Sequence, residues 1–306
     1  MIDILLASYN GEKYISEQIN SIISQSYEDW KLIIRDDGSN DKTLKIIEEF
    51  EKKDRRIQLI RDDKGNLGVA RNFEELLSYS KADFIMFADQ DDIWFHDKIK
   101  DTLLVMKNKN QSIPQLVFTN STVIKNNESS KCGYLYQYHV IPSLENFLFS
   151  NAGYQGSTTM INKELKDKCL PFLEDCLVHD YHISLCALLF GEATFIPEST
   201  MYYRRHQATV STLRRGILDK FKSFLKKEPI LFNPELFYYL KRYEEMNRKN
   251  INKEKSDILF DYFSILHKNV SKLHGLKIAM KRRFRINGSC FYLLLKIFLL
   301  KKHHKK

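Results

Sequence analysis

The sequence predicts an α/β protein: a mainly parallel, Rossmann-like sheet flanked by helices, then a helical, basic C-terminal region. Three observations carry this. Short apolar runs alternate with helically periodic segments over the first half of the chain, the pattern of βαβ units. The runs Ile2–Ala7, Trp30–Ile34 and Phe84–Ala88 each end in a polar loop, two of them rich in carboxylates. Charge is also divided: residues 216–306 hold 22 Lys and Arg against 8 Asp and Glu, a net of +14, while residues 1–215 carry −5.

Ile2–Ala7 reads as the first strand. Ile15, Ile19, Ile22 and Ile23 then recur at helical spacing, predicting a helix over Ile15–Ser26. Trp30–Ile34 is the second strand, followed by a helix capped by Ser39 or Asn40 and carrying Leu44, Ile47 and Phe50. Ile57–Ile60 is a third strand. A third helix opens in the run 66–72 and turns Phe73, Leu76 and Leu77 inward. Phe84–Ala88 is the fourth strand, and a helix runs from about Asp97 to Lys107.

Leu116–Ile124 is a further strand. Residues 125–140 form a polar, Tyr-rich loop or edge hairpin, and Leu144–Ser150 a short helix. Gly153 and Gly156 precede a β-type run ending at Asn162, where the backbone either turns or approaches a ligand closely. A helix starts around Cys176–His182 with Asp180 in its first turn. Thr194–Ile196 and Ser199–Tyr203 are two strands, and the basic turn Arg204–Gln207 after them is either solvated or a phosphate contact.

Beyond residue 216 the pattern is helical, at Leu213–Lys227, Pro234–Lys249 and Ile258–Lys268, with a strongly basic stretch at Lys277–Arg285. Cys290–Leu300 is almost wholly apolar and is followed by Lys301–Lys306. It is too short to span a bilayer. It suits a helix lying on an anionic membrane surface, or one packed on protein. The expected division is an α/β domain over 1–215 and a helical basic region over 216–306.

The five cysteines show no C-x-x-C spacing, which argues against a disulfide framework and against a zinc site. The first apolar run is too short for a signal peptide. A reduced, cytoplasmic setting fits. The tail lacks the modules of nucleic-acid binding.

The loops after strands one, two and four fall on one edge of such a sheet, where open α/β sheets bind ligands. They carry Tyr9, the pair Asp36 and Asp37, and the triplet Asp89, Asp91 and Asp92. Grouped carboxylates suit a hard divalent cation bridging the loop to phosphate. There is no G-x-G-x-x-G or Walker-type loop to cradle phosphates by backbone alone.

Six pieces occur in an order that resembles family 2 glycosyltransferases: Ala7–Asn10 with Glu12, Asp36–Ser39 with Asp41, Asn66–Gly68 with Arg71 and Asn72, Asp89–Asp92, His179 with Asp180, and Tyr203–Gln207. These are inverting enzymes of GT-A fold. The run Asp89–Trp94 and the ending Tyr203–His206 resemble the branch of bacterial rhamnosyltransferases of surface polysaccharide synthesis.

The resemblance implies roles. Ala7, Tyr9, Glu12, Asp37 and Arg71 would border the nucleotide, with Asp36 supporting its loop. Asp89 and Asp91 would place Mg²⁺ or Mn²⁺ on the diphosphate, and Asp180 would be the general base. Asp92, Trp94, Gly156, Ser157, Thr158, His179, Arg204 and His206 would belong to the acceptor side or its surroundings. The implied donor is dTDP-rhamnose, with a UDP-hexose (galactose or glucose) as the alternative, and the implied acceptor a lipid-linked saccharide. The Gln-x-x-Arg-Trp motif of processive members is absent, implying transfer of one sugar. A sugar-phosphate nucleotidyltransferase is a further alternative, poorly served by Ser8–Lys13.

Overall fold

Ile2, Ile4, Leu5 and Leu6 of β1 (Ile2–Ser8) are at most 1% exposed, because this strand is covered on both faces. The computed structural model describes residues 1–125, 130–138, 140–150, 152–205, 233–267 and 270–299. After β1 come α1 (Ile15–Ile23), β2 (Trp30–Asp36), α2 (Thr43–Lys53), β3 (Ile57–Leu59), α3 (Val69–Tyr79), β4 (Phe84–Asp89), β5 (Ile93–Trp94) and α4 (Lys98–Lys107). Then follow β6 (Gln115–Lys125), β7 (Lys131–Tyr134), α5 (Leu144–Phe147), a 3₁₀ turn (Gly156–Thr158), β8 (Thr159–Asn162), α6 (Lys163–Cys169), α7 (His179–Phe190) and β9 (Glu192–Arg205).

The sheet order is β3-β2-β1-β4-β8-β6-β9-β5, with β7 on β6. β3, β2, β1 and β4 run parallel, joined by α1, α2 and α3. Their apolar faces meet Ile15, Ile19 and Ile22 of α1 and Ile47 of α2 in one core. β8 is antiparallel to both β4 and β6. β6 and β9 pair in parallel. The expected helices and strands of the first half are present, and residues 131–134 form the edge hairpin strand.

Three local readings change. Neither Ser39 nor Asn40 caps α2: the Ser39 hydroxyl donates to Asp36, and it is Asp41 that accepts from the Thr43 N–H. The two strands expected around Pro197 are one, β9. Pairing passes from Thr119–Ile196 to Asn120–Ser199, so Pro197 and Glu198 bulge out at the point where proline has no N–H to give. α6 had no separate signal; its seven residues contribute only Leu165 and Cys169 to the interior.

The chain forms two compact units, one of Met1–Val140 and Ala152–His206, and a second of Ile141–Asn151 and Gln207–Lys306. The division thus falls earlier than residue 215, and a piece of the first half joins the second unit. The reason is aromatic: Phe149 packs edge-on against Tyr262 and Phe284, with ring centroids 4.9 and 5.3 Å apart.

Within the second unit lie α8 (Pro234–Asn247), α9 (Lys253–Leu266), α10 (Lys272–Arg282) and α11 (Cys290–Leu299). Asn233, Asn252 and Ser271 cap α8, α9 and α10 by accepting from backbone N–H groups. α11 buries Leu293 and Ile297 but leaves Phe291 76% and Phe298 61% exposed. No helix among the described residues is long and apolar enough to cross a membrane. The expected helix Leu213–Lys227 and the tail Lys301–Lys306 lie outside the described residues.

Candidate active site

The site is built at the C-terminal ends of β1, β2 and β4. Ser8 ends β1 and donates to Asp36 at the end of β2, 2.9 Å away. Asp36 also accepts from the N–H and hydroxyl of Ser39, which folds the 36–39 loop back on itself. Gln90, just past β4, holds both the N–H and the carbonyl of Tyr9 at 2.9 Å. Its amide ties the first loop to the acidic loop and leaves the Tyr9 ring exposed. Ala7 sits in register with Asp89. Glu12 is exposed and accepts from the Lys42 N–H, linking the first loop to the start of α2.

Asp37 is placed differently from the expectation. It is buried, and its carboxylate accepts from Arg35 and from the N–H groups of Leu67 and Gly68. It braces the turn that starts α3, where Gly68 takes φ +75°. A carboxylate so occupied is a loop support, as Asp36 is, and does not present itself to a base or ribose. The partner is Arg35, which sequence reasoning missed. Its buried guanidinium reaches Asp62, Asp37, Asn72 and the Gly65 carbonyl, with all contacts at 2.7–3.2 Å. Replacing it (Arg35→Met) strands Asp37 as an unpaired buried charge. The expected cost is about 3–5 kcal/mol of stability, read from urea unfolding; an unchanged midpoint would contradict this bracing role.

Arg71 of α3 pairs with Glu74 and donates to the Leu173 carbonyl at 2.8 Å. Its head therefore anchors the segment before α7. Arg204 is also turned inward. It is 2% exposed, lies over the Tyr14 ring, pairs with Glu17 of α1, and donates to the Asp91 carbonyl. Its N–H donates to Asp92 at 3.0 Å. Arg204 is thus a bracket for the acidic loop and not a solvated residue. Trp94 and His179 are corrected likewise. Trp94 lies in the main core. The His179 ring stacks on Phe73 with centroids 3.9 Å apart, and burial pushes its pKa down to about 3, so it is neutral packing and not an acceptor contact. His206 lies outside the described residues.

The remaining carboxylates do converge. Asp89 ends β4 and accepts from the Gln155 amide at 3.3 Å. Burial, then the charges of Asp91 and Asp180, push its pKa up to about 7. Asp92 is fully buried, and burial followed by Asp91 and Asp89 raises it also. Ser157 lies against both Asp89 and Asp92. Gly156, Ser157 and Thr158 are all buried, so this turn is a wall that shapes the site from behind.

Asp180 reaches the same place from the first turn of α7. Burial pushes its carboxyl up to about 6, against the pull of the Tyr181 and Gly156 N–H groups. Two glycines allow this approach. A Cβ on Gly153 would lie 2.3 Å from the Asp180 carbonyl carbon, and one on Gly156 would lie 2.5 Å from His179 Nε2. So α7 closes on the acidic edge only because both positions lack side chains. The result is an all-oxygen cluster in which neighbouring carboxylates help to raise Asp89 and Asp92, a donor set that fits a hard divalent cation. Gln155 and Gln90 escaped sequence reasoning because an amide between polar neighbours gives no local signal.

Residues 3–164, more than half of the chain, match the profile of Glycosyl transferase family 2. The chain belongs to this family. It is 33% identical over 216 residues to the dTDP-rhamnosyl transferase RfbG of Shigella flexneri, covering 66% of this chain and 72% of that one. It is 30% identical over 255 residues to the Escherichia coli WfgD, a UDP-Glc:alpha-D-GlcNAc-diphosphoundecaprenol beta-1,3-glucosyltransferase, covering 79% of this chain and 92% of that one. Among solved structures, Staphylococcus aureus TarS residues 1–349 with UDP-GlcNAc superposes with a TM-score of 0.58 at 16% identity, covering 97% of this chain and 89% of that one. A Pyrobaculum calidifontis mannosyltransferase with GDP-Man and Mn²⁺ gives a TM-score of 0.52 at 16% identity, covering 68% and 57%. The fold is therefore GT-A. As a member of family 2, the protein is a glycosyltransferase that uses a nucleotide sugar in surface polysaccharide synthesis.

Proposed function

We propose that this family 2 enzyme transfers a single rhamnose from dTDP-rhamnose to a lipid-linked saccharide, with inversion at the anomeric carbon. The observation that carries the chemistry is the placing of Asp180 beside the Asp89 and Asp91 loop: one carboxyl base next to an acidic edge. The relative named for dTDP-rhamnose supports the choice of sugar. A UDP-hexose is the second reading, supported by the relative named for UDP-Glc.

Asp89 and Asp91 would hold a divalent cation, Mg²⁺ or Mn²⁺. When bound, it supplies a positive charge that stabilises the departing diphosphate. Asp180 takes the proton of the acceptor hydroxyl. The acceptor oxygen bonds to the anomeric carbon from the face opposite the diphosphate, and the bond from that carbon to the phosphate oxygen breaks. No enzyme–sugar bond forms. Ala7, Tyr9 and Glu12 line the edge where the nucleoside would lie, while Asp37, Arg71, Arg204 and Gln90 hold its loops in place. Calorimetric titration with dTDP and with UDP, each in Mn²⁺, tests the donor. Tighter binding of dTDP is expected; preference for UDP would move the assignment to the hexose reading.

The acceptor class gives α10 and α11 a role at an anionic membrane surface. Leu276, Met280, Phe291, Leu294, Leu295 and Phe298 line one apolar groove. Lys277, Lys281, Arg282, Arg283 and Arg285 follow one another along the same stretch of chain. Apolar burial and attraction to anionic lipid then act together. Because Phe291 and Phe298 are exposed, the double variant Phe291→Ser/Phe298→Ser should fold normally. Its partitioning onto anionic vesicles should fall by at least about tenfold, given roughly 1.5–3 kcal/mol per buried aromatic side chain. Equal partitioning would remove α11 as the contact.

A further inference from the structure

Away from the acidic edge, α6 and α7 bring three metal-binding side chains together in the interior. Cys169 ends α6, while His182 and Cys186 stand one turn apart on the same face of α7. All three are buried, and their ligand atoms lie within 4.8 Å of one another. His182 Nε2 is 3.6 Å from Cys186 Sγ. For a tetrahedral zinc ion, with Zn–N of about 2.0–2.1 Å and Zn–S of about 2.3 Å, the N-to-S separation across the metal is also about 3.6 Å. His182 and Cys186 therefore already stand at coordination distance, with the Cys169 thiol within 4.8 Å of both. Nothing in the sequence spacing reveals this, because separations of thirteen and four positions belong to no C-x-x-C unit; the fold makes the cluster.

We propose that Cys169, His182 and Cys186 form a structural zinc site that fastens the end of α6 to α7. Soft thiolates with imidazole select Zn²⁺ over the hard cations that suit the carboxylates of the active site. Cys176, in the loop before α7, stands close enough for its charge to be felt at Cys169. Without metal, burial first and then Cys186 keep the Cys169 thiol well above its usual pKa, so it stays protonated; coordination reverses this, since a metal-bound thiol is deprotonated. His182 Nε2 now faces the Cys169 carbonyl at 2.9 Å, a hydrogen bond exchanged for the bond to zinc. The site fixes the axial position of α7, whose first turn carries Asp180, so its role is to position that helix and not to touch substrate.

The test uses the full chain, reduced, stripped with a chelator and titrated with Co²⁺ as a spectroscopic stand-in for zinc. The expected result is an intense near-ultraviolet thiolate-to-cobalt band with red d–d bands of tetrahedral type, saturating at one cobalt per chain and bleached by Zn²⁺. Oxygen ligation at Asp89 and Asp91 gives no sulfur band, so the two sites separate in one spectrum. Cys186→Ser and His182→Ala should lose or reshape the band, and the exposed Cys132→Ser should keep it. Zinc should also raise the Tm of the wild-type chain. The absence of a thiolate band in the folded, reduced wild-type protein would overturn the proposal without any variant. So would a band unchanged in Cys186→Ser, or a Cys169–Cys186 disulfide in the protein as isolated.

Discussion

Asp180→Asn is expected to lower kcat by roughly 10²–10⁴-fold, the usual worth of a positioned general base, while leaving donor affinity within about twofold. The asparagine is isosteric and can still accept from the Tyr181 and Gly156 N–H groups that hold the native carboxylate. The start of α7 should therefore survive, and with it the loops that hold the donor. The wild-type pH profile supplies an independent check. A base pushed up to about 6 by burial is protonated, and idle, below that pH. Its kcat should fall as pH drops through that region, and the Asn variant should lose this limb. Loss of donor binding together with activity would assign Asp180 to holding α7 instead.

Asp91→Ala is expected to remove most of the metal dependence of donor binding. In Mn²⁺ the affinity for the nucleoside diphosphate should fall by more than about 100-fold, beyond the 10–100-fold typical of groups that only orient a metal ligand. Without metal the sign reverses. Asp91 is the largest charge acting on Asp89, so its removal lowers the negative potential that meets an anionic diphosphate. The variant should bind slightly better than wild type in chelator. Calorimetry in both conditions reads this crossing, and parallel losses in both would assign Asp91 to folding the loop.

Much of the architecture was legible because it is written locally. The isoleucines of α1 repeat every three or four residues, and β1, β2 and β4 are runs of apolar residues closed by polar turns. The same holds for the carboxylates, since topology puts the ends of parallel strands on one edge. What was not legible depends on partners far away in the chain. Arg204 reads as surface charge, but its partners Glu17 and Asp92 lie 187 and 112 positions earlier. Asp37 looks like a site residue and, with Arg35, forms the inside of a loop clamp closed by Asp62 and the turn before α3. His179 sits beside the candidate base in sequence, yet one residue along a helix turns the side chain by about 100°, and this one faces Phe73. Cysteine spacing fails for the same reason, because α6 and α7 meet only in three dimensions.

The most direct test of the account is the anomeric configuration of the product. A single displacement, with Asp180 activating the acceptor and no covalent intermediate, requires the new glycosidic bond to have the configuration opposite to that of the donor. NMR of the isolated product made from dTDP-rhamnose, or from the UDP-sugar if that proves the donor, reads this from the anomeric carbon–hydrogen coupling. Inversion is the predicted result. A product of retained configuration would contradict the single displacement in which Asp180 acts as the base, since two displacements, with a carboxylate as nucleophile in the first, restore the donor's configuration.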